Sequence, residues 1–142
     1  MRVAVLVSGS GTNLQALLDA QRAKTLGAKV AVVISNKPGV AALDRAAQAG
    51  VPTVVISHKD YGSREGFDAA LAAAVRAWSA DLVVLAGFMR LLTPTFLNDF
   101  PGRVINIHPS LLPAFPGVDA QAQAWHYGVK VTGCTVHFVD AG

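Results

Sequence analysis

A chain of 142 residues, 52% hydrophobic and only 15% charged, is long enough to bury roughly two thirds of the surface its unfolded form exposes, so one compact domain is expected. The net charge of +3 comes from scattered Lys and Arg with no basic block interleaved with aromatics, which excludes the usual nucleic-acid-binding pattern and suits small anionic ligands better. No apolar run approaches the roughly 20 residues of a membrane span, and the lone Cys134 excludes a disulfide framework and a cysteine-based metal site, so a cytoplasmic protein with no membrane partner and no metal is expected.

In chain order, short Val- and Ile-rich runs predict strands over 2–7, 30–34, 53–56, 82–85 and 103–107. Ala- and Leu-rich stretches with helical spacing predict helices over 13–23, 40–49, 64–78 and 95–100, and Gly50-Val51-Pro52 and Pro101-Gly102 punctuate the returns to strand. This βαβ series implies an α/β fold: an open, mainly parallel sheet covered by helices on both faces, with right-handed crossovers that gather the strand C-termini along one edge. Polar chemistry is expected there.

Three stretches at that edge carry candidate chemistry. Ser8-Gly9-Ser10-Gly11-Thr12-Asn13 joins the first strand to the first helix and offers backbone N–H groups and hydroxyls to a phosphate. No Gly-Lys-Ser/Thr follows, so it is not a Walker loop, and Leu14 occupies the place of the third glycine of a dinucleotide fingerprint. The alternative is a plain turn capped by Thr12 or Asn13. The fourth strand runs into Ala86-Gly87-Phe88-Met89-Arg90-Leu91-Leu92, which could bed an aromatic ligand with an anionic tail or could be ordinary core with one solvated arginine. Arg64, at the start of the third helix, has the same two readings.

The third stretch is Asn106-Ile107-His108-Pro109-Ser110-Leu111-Leu112-Pro113. Strand side chains alternate, so Asn106 and His108 share a face with Val104, while Ile105 and Ile107 take the other. An amide N–H and a protonated imidazole can both donate to a developing oxyanion, which suggests acyl-type transfer. Of the other histidines, His58 and His126 are expected at the surface. His137, on a strand face with Thr135, is expected in the core or behind a catalytic group. Cys134 is expected to be a small buried hydrophobe.

Gly9-Ser10-Gly11-Thr12-Asn13-Leu14-Gln15, Ala86-Gly87-Phe88-Met89-Arg90 and Asn106-Ile107-His108-Pro109-Ser110-Leu111-Leu112-Pro113 together resemble the folate-dependent formyltransferases. The His-Pro-Ser-Leu-Leu-Pro motif is shared across the superfamily, including methionyl-tRNA formyltransferase and formyltetrahydrofolate deformylase. The Gly-Ser-Gly-Thr-Asn loop narrows the resemblance to the branch that formylates glycinamide ribonucleotide in de novo purine synthesis. The match runs along all 142 residues. The deformylase reading is weakened because that enzyme usually carries a regulatory domain ahead of the catalytic one.

The resemblance implies a Rossmann-like formyltransferase fold in a monomer or homodimer. It implies that Gly11, Thr12 and Asn13 hold the phosphate of glycinamide ribonucleotide. It implies further that Arg64, Met89, Arg90, Leu91, Leu92, Asn106 and Asp140 contact the co-substrate 10-formyltetrahydrofolate, and that Asn106 and protonated His108 stabilise the oxyanion of the transferred formyl group. The alternatives are a 10-formyltetrahydrofolate hydrolase, or a catalytically impaired nucleotide- or folate-binding fragment.

The chain departs from the resemblance at its end. Family members continue past His137-Phe138-Val139-Asp140-Ala141-Gly142 and supply an aspartate that keeps the catalytic histidine protonated, so a single domain over 1–142, shortened before the family's last elements, is expected. Without such a neighbour a histidine of ordinary pKa, about 6.5, is protonated in only about a quarter of molecules at pH 7. Asp140 is the nearest carboxylate, but the family pattern places it at the start of the folate-contacting loop. A sheet edge with apolar surface is expected to be left exposed.

Overall fold

The computed structural model describes residues 1–108 and 135–140. Its elements are β1 (Arg2–Val7), α1 (Thr12–Arg22), β2 (Lys29–Ser35), α2 (Ala41–Gln48), β3 (Thr53–Val55), a 3-10 turn (His58–Asp60), α3 (Arg64–Ala77), β4 (Leu82–Leu85), the short α4 (Pro94–Leu97), β5 (Val104–His108) and β6 (Thr135–Phe138). They form one sheet of order β3-β2-β1-β4-β5-β6. The first five strands pair in parallel and β6 adds antiparallel to β5. The fold is thus the expected α/β one, Rossmann-like, with most element boundaries displaced by a residue or so; the helix expected over 95–100 is instead the single turn Pro94–Leu97.

Two apolar clusters sandwich the sheet. On one side Val3, Val5 and Val7 of β1 and Val84 of β4 meet Leu14 and Leu18 of α1 and Ala42 and Ala46 of α2. On the other, Ala4 and Leu6 of β1 and Val83 and Leu85 of β4 meet Phe67, Leu71 and Val75 of α3 and Phe96 of α4. The central strands are buried on both faces, which is why they read as unbroken apolar runs. Pairing of β1 with β2 slips between Val3 and Ala4, whose partners are Val30 and Val32. Ala31 is therefore the extra residue of a bulge, and it places Val30 and Val33, an odd spacing, in the same cluster.

Chain order and strand order reverse between β1 and β4. From β1 the chain goes by α1 to β2 on one side; from β4 it continues to β5 on the other. That switch point splays the loops after β1 and β4 apart and opens a crevice at the strand C-termini.

Other expectations resolve locally. His58, expected at the surface, is half-buried, and its Nδ1 has no hydrogen-bond partner among the described residues. On the edge strand β6, Val136 and Phe138 are 59% and 70% exposed. His126, Cys134 and the Pro109-Ser110-Leu111-Leu112-Pro113 part of the third motif lie outside the described residues. No helix among the described residues is long and apolar enough to cross a membrane.

Candidate functional site

The switch-point crevice is a cleft of about 320 Å³ lined by the loop from Ser8 to Asn13, by Lys37 after β2, and by Ala86, Gly87 and Met89 after β4. Gly11, Thr12 and Asn13 all face into it, as does Met89. The loop turns into α1 at Gly11, the helix N-cap, which has φ 76° and no side-chain capping bond. Capping by Thr12 or Asn13, the plain alternative for this turn, is therefore not what ends the loop. A Cβ on Gly11 would stand 2.7 Å from Cβ and 2.8 Å from Cα of Ala42, so both the left-handed backbone and the approach of α2 demand glycine. Among the described residues no acceptor is bonded to the backbone N–H groups of Ser10, Gly11, Thr12 or Asn13. Four successive free donors at a helix N-terminus form a concavity suited to an anion.

A buried polar link holds the cleft's walls together. Ser8 Oγ donates to Asn36 Oδ1 at 2.6 Å and accepts from the Met89 N–H at 2.8 Å, so one hydroxyl ties β1's loop to those after β2 and β4. Next to Asn36, the Lys37 backbone is clamped to Ser35: its N–H donates to Ser35 Oγ at 3.0 Å and its carbonyl accepts from that hydroxyl at 2.6 Å. Lys37 thus lines the cleft from a fixed backbone and brings a positive charge to its wall. Asn36 and Lys37 escaped the sequence reading. Their signal was present: Ser35-Asn36-Lys37 ends the strand beside β1, at the same sheet edge.

The segment after β4 alternates. Met89 and Leu91 are 63% and 77% exposed, whereas Phe88 and Leu92 pack on the α3 cluster. Arg90 is half-buried, with its guanidinium 5.2 Å from the centroid of the Phe67 ring. Neither sequence reading covers the whole segment: it is core on one side and offers two large apolar side chains on the other. Arg64 occupies the first turn of α3, capped by Ser63 Oγ accepting from the Gly66 N–H at 3.0 Å. Residues three apart on a helix are neighbours, so by stacking on Phe67 Arg90 comes to the same helix turn as Arg64. The segment's far end is fixed by buried Asp68, which accepts from the Thr93 N–H at 2.6 Å and its hydroxyl at 2.7 Å.

On β5, Val104 belongs to the α3 cluster and Ile105 and Ile107 pack on the other, so Asn106 lies on the side covered by α3 and α4. It is half-buried and paired with His137 of β6. The His108 backbone closes β5 opposite Thr135. Asp140 lies just beyond β6 and is exposed. Among the described residues no group of three or more His, Cys, Asp or Glu is placed to hold a metal ion.

These features define a Rossmann-like α/β protein with an anion-suited cleft at its switch point and a polar amide at the end of a neighbouring strand. The chain matches the formyl transferase family over residues 1–142 and belongs to it. The trifunctional purine biosynthetic protein adenosine-3 of Drosophila melanogaster is 58% identical over 143 residues, which cover 99% of this chain and 11% of that protein. The phosphoribosylglycinamide formyltransferase of Escherichia coli is 44% identical over 139 residues, 98% of this chain and 66% of that protein. The crystal structure of glycinamide ribonucleotide transformylase 1 from Symbiobacterium toebii superposes with a TM-score of 0.96 at 56% identity, over 100% of this chain and 67% of that one. The chain thus spans 10% to 15% of the length of the trifunctional relatives it matches.

Proposed function

We propose that this chain forms the catalytic part of an enzyme that transfers the formyl group of 10-formyltetrahydrofolate to the amine of glycinamide ribonucleotide, a cytoplasmic step of purine synthesis. The observation that carries the reading is the cleft at the strand C-termini, lined by Lys37 and by a loop with four backbone N–H groups that have no acceptor among the described residues. A phosphate fits that chemistry, with Gly11, Thr12 and Asn13 as its donors. The names of the relatives supply the nucleotide.

The folate is assigned to the neighbouring surface. Met89 and Leu91 offer apolar contact area to a pterin or benzoyl ring, with Leu92 behind them. Arg64 and Arg90, gathered at the first turn of α3, suit an anionic glutamate tail. Asp140 is assigned to the folate side at the end of β6.

The amine of the nucleotide attacks the formyl carbon, the carbonyl electrons move onto oxygen, and the tetrahedral oxyanion collapses by expelling tetrahydrofolate nitrogen. The Asn106 amide donates to that oxyanion, and His108, in its protonated form, donates to the same oxygen and balances its charge. The nitrogen of the attacking amine loses a proton and the departing folate nitrogen gains one, so the reaction needs no oxidant or reductant.

The test is incubation of the chain with 10-formyltetrahydrofolate, with and without glycinamide ribonucleotide, following loss of the formyl group by absorbance. Loss that requires the nucleotide is the expected result. Formate release without it would establish a hydrolase instead.

A further inference from the structure

Resting on the reading of the cleft as a phosphate site, we infer that Arg45 of α2 is a positioning residue for the nucleotide's phosphate. Arg45 lines no part of the cleft and lies on the helix behind the loop. Its Nε donates to the Ser10 carbonyl at 2.7 Å, and its Nη1 donates to Gln15 Oε1 at 3.2 Å. Gln15 is itself oriented, since its Nε2 donates to Asp19 Oδ1 at 2.9 Å, which leaves Oε1 as the acceptor that faces Arg45. One residue earlier in the loop, the Gly9 carbonyl accepts from the Ala42 N–H at 3.0 Å. Two consecutive loop carbonyls are therefore drawn toward α2.

The consequence follows from peptide geometry. In a planar trans peptide the C=O and N–H point in opposite directions, so fixing a carbonyl fixes the next residue's N–H. Holding the Gly9 carbonyl against α2 aims the Ser10 N–H away from it, and holding the Ser10 carbonyl does the same for Gly11. Those are the first two of the four donors without an acceptor. Left to itself, a glycine-rich loop samples many orientations of these peptides, and each would have to be frozen when a phosphate binds. Ala42 packed against Gly11 excludes some of them sterically, and Arg45 holds the Ser10 carbonyl through a charge-assisted bond. The loop is thereby set before the ligand arrives, and α2, which lines no part of the cleft, becomes part of nucleotide recognition.

The experiment compares binding of glycinamide ribonucleotide with that of its dephosphorylated nucleoside, by calorimetry on the full chain and on the variants Arg45→Met and Arg45→Lys, with turnover at saturating nucleotide alongside. Arg45→Met keeps the aliphatic stem and removes the donors. It is expected to weaken nucleotide binding about tenfold, the scale of one lost hydrogen bond to a charged group, while nucleoside and folate binding stay within about twofold. KM for the nucleotide rises and kcat does not fall with it. Arg45→Lys, which keeps the charge and one donor, recovers most of the loss. Should Arg45→Met not fold, Gln15→Met removes only the guanidinium's second anchor, and about a threefold loss for the nucleotide alone is expected. Unchanged nucleotide affinity in the folded variants, or equal weakening for nucleotide and nucleoside, overturns the role of Arg45 while a parent preference for the nucleotide keeps the phosphate site. A parent that binds both alike overturns the phosphate site and this inference with it.

Discussion

The side-chain amide of Asn106 lies 3.4 Å, through Nδ2, from Nε2 of His137 on the neighbouring antiparallel strand. The other ring nitrogen, Nδ1, is 3.1 Å from the Phe138 carbonyl, which can only accept. In the neutral ring Nδ1 therefore carries the proton, Nε2 accepts, and Asn106 donates to it. The bond is long, but it selects one orientation of the amide and leaves the second Nδ2 hydrogen for the role proposed above. His137→Phe, which keeps the ring and removes the acceptor, is expected to lower kcat about tenfold with nucleotide affinity unchanged, and His137→Gln to recover part of it. Steady-state kinetics paired with calorimetry checks this; loss of binding in step with kcat would point to a damaged strand instead.

Direct removal of the donors should cost more. Asn106→Ala takes away the amide proposed above as an oxyanion donor and is expected to reduce turnover by about 10²–10³. His108→Ala is expected to abolish transfer while nucleotide binding persists, because the cleft proposed for the phosphate is lined by the loops after β1, β2 and β4 and not by β5. Single-turnover measurement of formyl loss decides it, and substantial turnover in His108→Ala would remove that histidine from the mechanism.

The strand and face of Asn106 could be read from sequence alone because strand alternation is local: a polar residue at the end of an apolar run declares its face. The central strands β1, β2 and β4 emerged because a strand buried on both faces shows as a continuous Val- and Ile-rich run. What was not legible depends on residues far apart in the chain. Local propensity offered Thr12 or Asn13 as the cap of α1, yet Gly11 holds that place because Ala42, 31 positions later, leaves no room for a Cβ. The bulge at Ala31 leaves no mark in a Val-rich run. The Ser8, Asn36 and Met89 link joins three loops that only the strand order brings together.

Gly11→Ala puts this account of the loop to the test. The substitution places a methyl carbon 2.7 Å from Ala42 Cβ in a backbone conformation with φ 76°. The left-handed conformation alone costs about 1–2 kcal/mol for a residue with a Cβ. The contact with the Ala42 backbone cannot be relieved by a side-chain rotation, so a loss of about 2 kcal/mol or more in denaturant unfolding is expected, together with weaker nucleotide binding. A variant as stable as the parent would mean that α2 is free to move away.

Asp68 supports from below the surface proposed for the folate. Its buried carboxylate takes both the N–H and the hydroxyl of Thr93 and so pins the end of the 89–92 segment to α3. Asp68→Ala strands both donors and is expected to cost about 1.5–3 kcal/mol. Because the released segment carries Met89 and Leu91, folate affinity should fall more than nucleotide affinity. Fluorescence titration with a folate analogue beside calorimetry with the nucleotide separates the two.

Arg90 divides its work between packing and charge, and the two can be separated. Its guanidinium lies over the Phe67 ring, an arrangement worth about 0.5–1 kcal/mol or more, while its positive charge and that of Arg64 are the ones proposed to meet an anionic tail. Arg90→Met keeps an apolar stem on Phe67 and removes only the charge. It is expected to leave the melting temperature within a few degrees of the parent and to weaken binding of a polyglutamylated folate several-fold at low salt. The difference should shrink as ionic strength rises, because an exposed charge pair is screened within about 10 Å at 0.1 M. Arg64→Met should behave alike, and the double variant should lose the salt dependence almost entirely. Equal loss at every salt concentration would assign Arg90 a packing role and leave the tail to other cations.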